Sequence, residues 1–162
     1  MMKKCEKCGK TFEAKDPSFR TCYACHQVGQ STQSISNTSI KPLLLDSYYD
    51  VNKQYKKEVF IDIPKRIAEL FYEQIKVNQL RDFHQKILII RNTAMRKGFE
   101  YAKTLLWKLP AEAEYQRKRT YVSQNFVEFI NHHVRLAEQN ESNLEGFFQH
   151  MDCIVSFFPK QY

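Results

Sequence analysis

Glycine and proline are scarce, four and five in 162 residues, which argues against a chain built from tight turns and short strands and favours long helices. Long apolar runs are missing as well: none approaches the ~20 residues needed to cross a bilayer, and the opening Met1-Met2-Lys3-Lys4-Cys5-Glu6 leads into no apolar stretch of a secretory leader. No membrane partner and no export are therefore expected, and a reducing cytoplasm is the expected compartment. The chain also lacks H-E-x-x-H, a Walker loop, G-x-S-x-G and G-x-G-x-x-G. His84, His132 and His150 show no evident pairing with carboxylates along the sequence. No catalytic residue is assigned, and the chain is not expected to be an enzyme. The cutting motif of HEPN-type helical ribonucleases, an Arg followed a few residues later by His, occurs only from Arg20 to His26, off the expected helices, and is read as accidental.

Against these absences stand a hydrophobic content of 43% and a charged content of 27%, enough to bury a core rather than remain disordered. Four of the five cysteines crowd the first 25 residues. Cys5, Cys8, Cys22 and Cys25 spell C-x₂-C-x₁₃-C-x₂-C, each pair able to turn two thiolates onto one tetrahedral ion. Around them lie few core candidates, namely Phe12, Phe19, Tyr23 and Val28, so ordering this segment needs metal: zinc binding is worth roughly 10–16 kcal/mol in finger peptides. Zinc is the expected cofactor, in a structural site whose four thiolates leave no open position. Three alternatives share the residues. Cys22-Tyr23-Ala24-Cys25-His26 matches the C-x-x-C-H haem pattern, which normally requires export; a thioredoxin-like pair needs a surrounding βαβ unit; and His26 can stand in for Cys25 as a ligand.

From Gln27 to Pro42 serine, threonine, asparagine and glutamine dominate, the composition of a flexible linker spanning on the order of 20 Å. Leu43-Leu44-Leu45 and Tyr48-Tyr49 follow, read first as a segment strapped over a helical core and second as a docking site for a partner. Three parts are thus expected: 1–28 a zinc module, 29–58 a linker and docking segment, and 59–162 a helical domain. Within the last, Pro64 after Asp62 suits the first turn of a helix through Ile67, Leu70, Phe71 and Ile75. Asn78 is read as the cap of the next helix. Phe99, Ala102, Leu106 and Leu109 keep helical spacing until Pro110 interrupts. Another helix shows Val122, Phe126, Phe129, Ile130, His133 and Ala137 on one face, with His133 read as a hydrogen-bonded core residue. The last, from Asn143, is apolar around most of its girth.

Charge is distributed unevenly over this domain. At ~100° per residue, Leu80, Phe83, Ile87, Ile90 and Ala94 fall on one side of a helix and Arg81, Gln85, Asn92 and Arg96 on the other. Leu88 and Ile89 point toward the polar side and need cover from a neighbouring helix or another subunit. From Lys76 to Tyr121 eleven cationic residues face four acidic ones, an excess of +7 equal to the net charge of the whole chain. So local an excess suggests a polyanion-binding face. From Val122 onward acidic residues prevail, so an acidic end and a basic middle are suited to meet head to tail between copies.

Gln79-Leu80-Arg81-Asp82-Phe83, then Leu109-Pro110 through Tyr115 and Arg117 to Arg119, then Asn143-Leu144-Glu145-Gly146-Phe147-Phe148 with Met151, Ile154, Val155 and Phe158, together resemble the small-subunit family of type III-A CRISPR effector complexes, the Csm small subunit. That family shows a Q-L-R-K-F-[YF] helix, a P-x-L-A-Y-x-x-x-R segment and a closing N-F-x-x-F-x-x-F-x-A-I-V-A-Y-like helix, and the resemblance spans roughly Val59 to Phe158. Asp82 stands where the family has a basic residue, and His84 where it has Tyr or Phe. The resemblance implies an all-α, five-helix bundle, here preceded by a small zinc-ribbon or knuckle module and a flexible linker. It implies copies stacked head to tail along guide and target RNA, beside other subunits of the effector complex, gripping the backbone without cutting it. Arg81 carries over from the family motif as an RNA contact. Lys86, Arg96, Lys97, Lys108, Arg117, Lys118, Arg119 and Tyr121 join it on local charge and position. The competing reading is a stand-alone zinc-ribbon regulator that binds DNA through the cysteine module and its lysines, with the helical part dimerising.

Overall fold

The computed structural model describes residues 2–4, 11–13 and 38–160. Cys5, Cys8, Cys22 and Cys25, with His26 and the linker up to Asn37, lie outside the described residues. The chain divides into two units, Met1–Thr38 and Ser39–Tyr162. In the first, strands β1 (Met2–Lys4) and β2 (Thr11–Glu13) pair antiparallel, with Met2 opposite Glu13 and Lys4 opposite Thr11. The first cysteine pair therefore falls, in sequence, between two strands that pair antiparallel.

The second unit is helical. Its helices are α1 (Asp62–Tyr72), α2 (Val77–Lys97), α3 (Phe99–Leu106), α4 (Leu109–Lys118), α5 (Gln124–Ala137) and α6 (Glu141–Phe157). Six segments are described where five were expected, because α3 and α4 are parted only by Trp107 and Lys108, whose backbone stays in the right-handed helical region. Pro110 explains the break: it has no N–H to offer the preceding turn, so it sits at the start of a new helix instead. Between α2 and α3 the chain reverses at Gly98, whose φ of +94° suits glycine alone. Ser123 and Asn140 cap α5 and α6, their side chains accepting from Phe126 N and Asn143 N. Asn78 does not cap α2. That helix begins at Val77, with Lys76 as its N-cap and no side-chain bond there.

The core is where the periodicity placed it. Leu80, Phe83, Ile87, Ile90 and Ala94 of α2 are buried, as are Phe126, Phe129, Ile130, His133 and Ala137 of α5 and Leu144, Phe147, Met151 and Ile154 of α6. Phe126 is central, its ring 4.9 Å from Phe83 and 5.5 Å from Phe71, both edge-on, the arrangement aromatic rings prefer over face-to-face stacking.

Residues 39–60 lie over this core as an irregular strap that belongs to the helical unit. Ile40, Tyr48 and Val59 are fully buried, Leu43 and Leu45 nearly so. Irregular backbone over a core leaves polar groups to be satisfied, and three of these are met by side chains of distant helices. Asn125 Oδ1 accepts from Ile40 N at 3.1 Å; His132 Nε2 donates to Leu45 O at 2.7 Å; His150 Nδ1 donates to Val59 O at 2.8 Å. Tyr48 Oη lies 2.6 Å from Nδ1 of fully buried His133. Tyr48 also presses on Gly146 of α6, where an added Cβ would stand 2.5 Å from its ring. Gly146→Ala is therefore expected to destabilise the unit by about 1–3 kcal/mol, although alanine is the better helix former by about 1 kcal/mol. A lowered urea midpoint with unchanged m-value checks this; equal or higher stability would show that the strap yields at Tyr48.

Candidate nucleic-acid interface

Helix α2 carries the candidate surface because only one side of it is covered by the core. One flank is fastened to α6. Arg91 Nε bonds Glu145 and its guanidinium lies 4.7 Å from the Phe148 ring centroid, while His84 stacks on Phe148 and bonds Asp152 through Nε2 at 3.0 Å. This His84–Asp152 pair corrects the reading that none of these histidines meets a carboxylate. The partners are 68 residues apart, and no local pattern announces them. The other flank is fastened to α4, where the ammonium of Lys86 is shared between Asp82, one turn back, and Glu112. Burial alone would lower the Lys86 pKa, but its bonds to the two carboxylates outweigh that and hold it above the ordinary lysine value.

Between these flanks α2 shows Arg81, Gln85, Ile89, Asn92, Met95 and Arg96 to solvent. Arg81 and Arg96 have no ion pair or hydrogen bond among the described residues. They are separated by about 22 Å along the helix at 1.5 Å per residue. Ile89 is 51% exposed and Met95 69%, so no neighbouring helix covers the apolar side chain that the sequence flagged at Ile89. Met95, which lies beside Arg81 on the same wheel, was not singled out.

The remaining candidates divide by what they touch. Lys108 and Lys118 are exposed; Lys108 has no partner among the described residues, whereas Lys118 lies close enough to Glu114 for its charge to help lower the pKa of that carboxyl. Lys97 stands 5.0 Å from the Tyr101 ring centroid, which leaves its charge available. Arg119 stands over two tyrosines, 5.5 Å from the Tyr115 centroid and 5.3 Å from that of Tyr121, with Nη1 donating to Tyr115 Oη at 3.0 Å. Arg117 is different: Nε and Nη2 both bond Glu114, at 2.9 and 2.6 Å. That bidentate bond raises the Arg117 pKa and lowers that of Glu114. Lys86 and Arg117, expected among the contacts, thus have their charge answered within the chain. Among the described residues Arg81, Arg96, Lys97, Lys108 and Arg119 have no such carboxylate, and Lys118 shares only the field of Glu114.

The acidic end is also partly engaged internally. Glu138 accepts from Trp107 Nε1 at 2.6 Å, Glu145 from Arg91 and Asp152 from His84. Among the described residues after Val122, this leaves Glu128 and Glu141 without such bonds. The described residues contain no group of three or more potential metal ligands, and no helix among them is long and apolar enough to cross a membrane.

A family model described as Csm2 Type III-A matches residues 54–161. No curated protein and no solved structure matches the chain. The matched stretch takes in all six helices and the end of the strap.

Proposed function

Since the match covers well over half of its length, the chain belongs to the Csm2 Type III-A family, and from that premise we propose that it serves as a non-catalytic, RNA-binding small subunit of a type III-A CRISPR interference complex. In this reading copies stack head to tail along the guide and target RNA, beside the other subunits, and the outward face of α2 lies against the ribose-phosphate backbone. The observation that carries it is the pair Arg81 and Arg96, two guanidinium groups on one exposed helix face with no carboxylate among the described residues to neutralise them. Lys97, Lys108, Lys118 and Arg119 extend the positive surface. Such contacts hold a backbone without reading bases, so the binding is independent of sequence and sensitive to salt.

Cys5, Cys8, Cys22 and Cys25 are proposed as the ligands of one structural zinc ion. Four thiolates at knuckle spacing complete its tetrahedral shell, and the β1–β2 pairing, which brackets Cys5 and Cys8 in sequence, suits a ribbon-like module. In the rival reading that module is the nucleic-acid-binding part, and a DNA-binding regulator results. Deleting residues 1–38, which leaves the Ser39–Tyr162 unit whole, separates the two. RNA affinity within about threefold of the full chain is the expected outcome; loss of all nucleic-acid binding would favour the regulator. Co-purification of the full chain with other CRISPR subunits and a processed guide RNA tests its place in the assembly.

A further inference from the structure

We propose that Tyr115, Arg119 and Tyr121 form a seat for one unpaired nucleobase, separate from the phosphate-gripping face of α2. The proposal rests on the reading that this chain binds RNA, and it adds to it a contact with the ring rather than the backbone.

The seat is built by the end of α4. Thr120 has φ +62°, a region that a β-branched side chain rarely enters. Its N–H bonds Arg117 O at 2.9 Å and the Tyr121 N–H bonds Gln116 O at 3.0 Å, the paired closure of a Schellman cap, in which glycine is the usual residue. Thr120 Oγ1 also donates to Arg119 O at 2.6 Å. This closure folds Tyr121 back beside Arg119, while Tyr115 reaches Arg119 from one turn earlier. The guanidinium braces both rings and is tied to one of them through Tyr115 Oη. Tyr115 remains 55% exposed and Tyr121 36%, so both tyrosines keep surface open to solvent.

The residue types point to a flat, neutral heteroaromatic ligand. A guanidinium on one face of a tyrosine leaves the other face free to stack, and stacking on aromatic rings braced by arginine accepts any base. A phosphate alone is the weaker candidate: it takes hydrogen bonds from tyrosine hydroxyls but makes no use of the ring surfaces. A base inside a duplex has both faces covered, so the base must be unpaired. Among the described residues no carboxylate answers the charge of Arg119, in contrast to Arg117 two residues earlier, so it is free to attract the phosphate next to the seated base. The bracing is made before any ligand arrives, which lowers the ordering cost of binding.

The test uses the full chain and a single-stranded RNA carrying one 2-aminopurine. Wild-type protein is expected to quench the probe. A Tyr115→Leu, Tyr121→Leu variant with an unchanged melting temperature should lose the quenching and bind about five- to a hundredfold more weakly. An RNA with an abasic site at the probe position should suffer a similar loss with wild-type protein and no further loss with the double variant. Tyr115→Phe and Tyr121→Phe should each keep both properties. Undiminished quenching and affinity in the leucine variant would overturn the proposal. So would a lowered melting temperature with affinity intact, which would make the cluster a staple between α4 and α5. Salt-sensitive RNA binding without any quenching would sink the base seat alone. Failure of the wild-type chain to bind RNA at any salt concentration would sink the RNA-binding reading with it.

Discussion

A chain carrying Arg81→Glu and Arg96→Glu is expected to bind single-stranded RNA at least about a hundredfold more weakly near physiological salt, by a similar factor whatever the base sequence. Each phosphate contact to a single strand contributes about 0.7 to the slope of log affinity against log salt. Losing two should flatten that slope by about 1.4, and the new carboxylates add repulsion over the ~8 Å screening distance at 0.15 M. Filter binding of two unrelated RNAs at four salt concentrations measures both quantities. Lys86→Ala is the control. Its ammonium is already shared by Asp82 and Glu112, so affinity should change less than about twofold. An unaltered slope in the double variant, or a larger loss in the control, would place the interface elsewhere than the outward side of α2.

Acid should unfold this chain early, and two buried histidines should be the main reason. Burial holds His133 neutral, reinforced by the nearby His150 and His132, and keeps its pKa well below the usual histidine value; burial lowers that of His150 to about 4 against the raising effect of its bond to Val59. His133 is surrounded by Tyr48 from the strap, Phe129 one turn before it, and Phe147 and His150 from α6. No carboxylate is among these neighbours to welcome a proton. The Nε2 atoms of both histidines are buried without a partner, so a charge acquired there would go uncompensated. The folded state therefore binds fewer protons than the unfolded chain once pH falls below about 6.5, and stability drops as pH falls. Each histidine contributes about 1.4 kcal/mol per pH unit. Between pH 6.5 and 4.5 the two together remove about 5 kcal/mol, the whole of a marginal domain's stability. Urea midpoints at pH 7, 6, 5 and 4.5 would show it. His150→Leu should roughly halve the slope whatever it does to stability at pH 7, and a flat profile in the wild type would refute the assignment.

The repeating features of the fold were legible in the sequence because a helix buries one residue in every three or four. The inward residues of α2, α5 and α6 followed from spacing alone, and the break at Pro110 followed from a missing N–H. What could not be read depends on partners far apart in the chain. The strap has no periodicity of its own, and its fit relies on Asn125, His132, His133 and His150, all more than eighty residues beyond the groups they meet. His133 was recognisable as a core residue, but Tyr48 as its partner was not. The candidate face was half legible. A helical wheel separates Arg81 and Arg96 from the core, yet it cannot show that Glu112 reaches across to Lys86, or that Glu114 takes both nitrogens of Arg117. Charge counts overstate what is available to a ligand, because ion pairs are made locally after the helices pack.

The ion cluster at Lys86 has one more consequence. It sits at the junction of α2 and α4, so the positive surface is not a continuous rail: where the two helices meet, a cation is already matched by two carboxylates. A polyanion that followed both helices would meet no uncompensated charge at that junction, so its grip there would be interrupted.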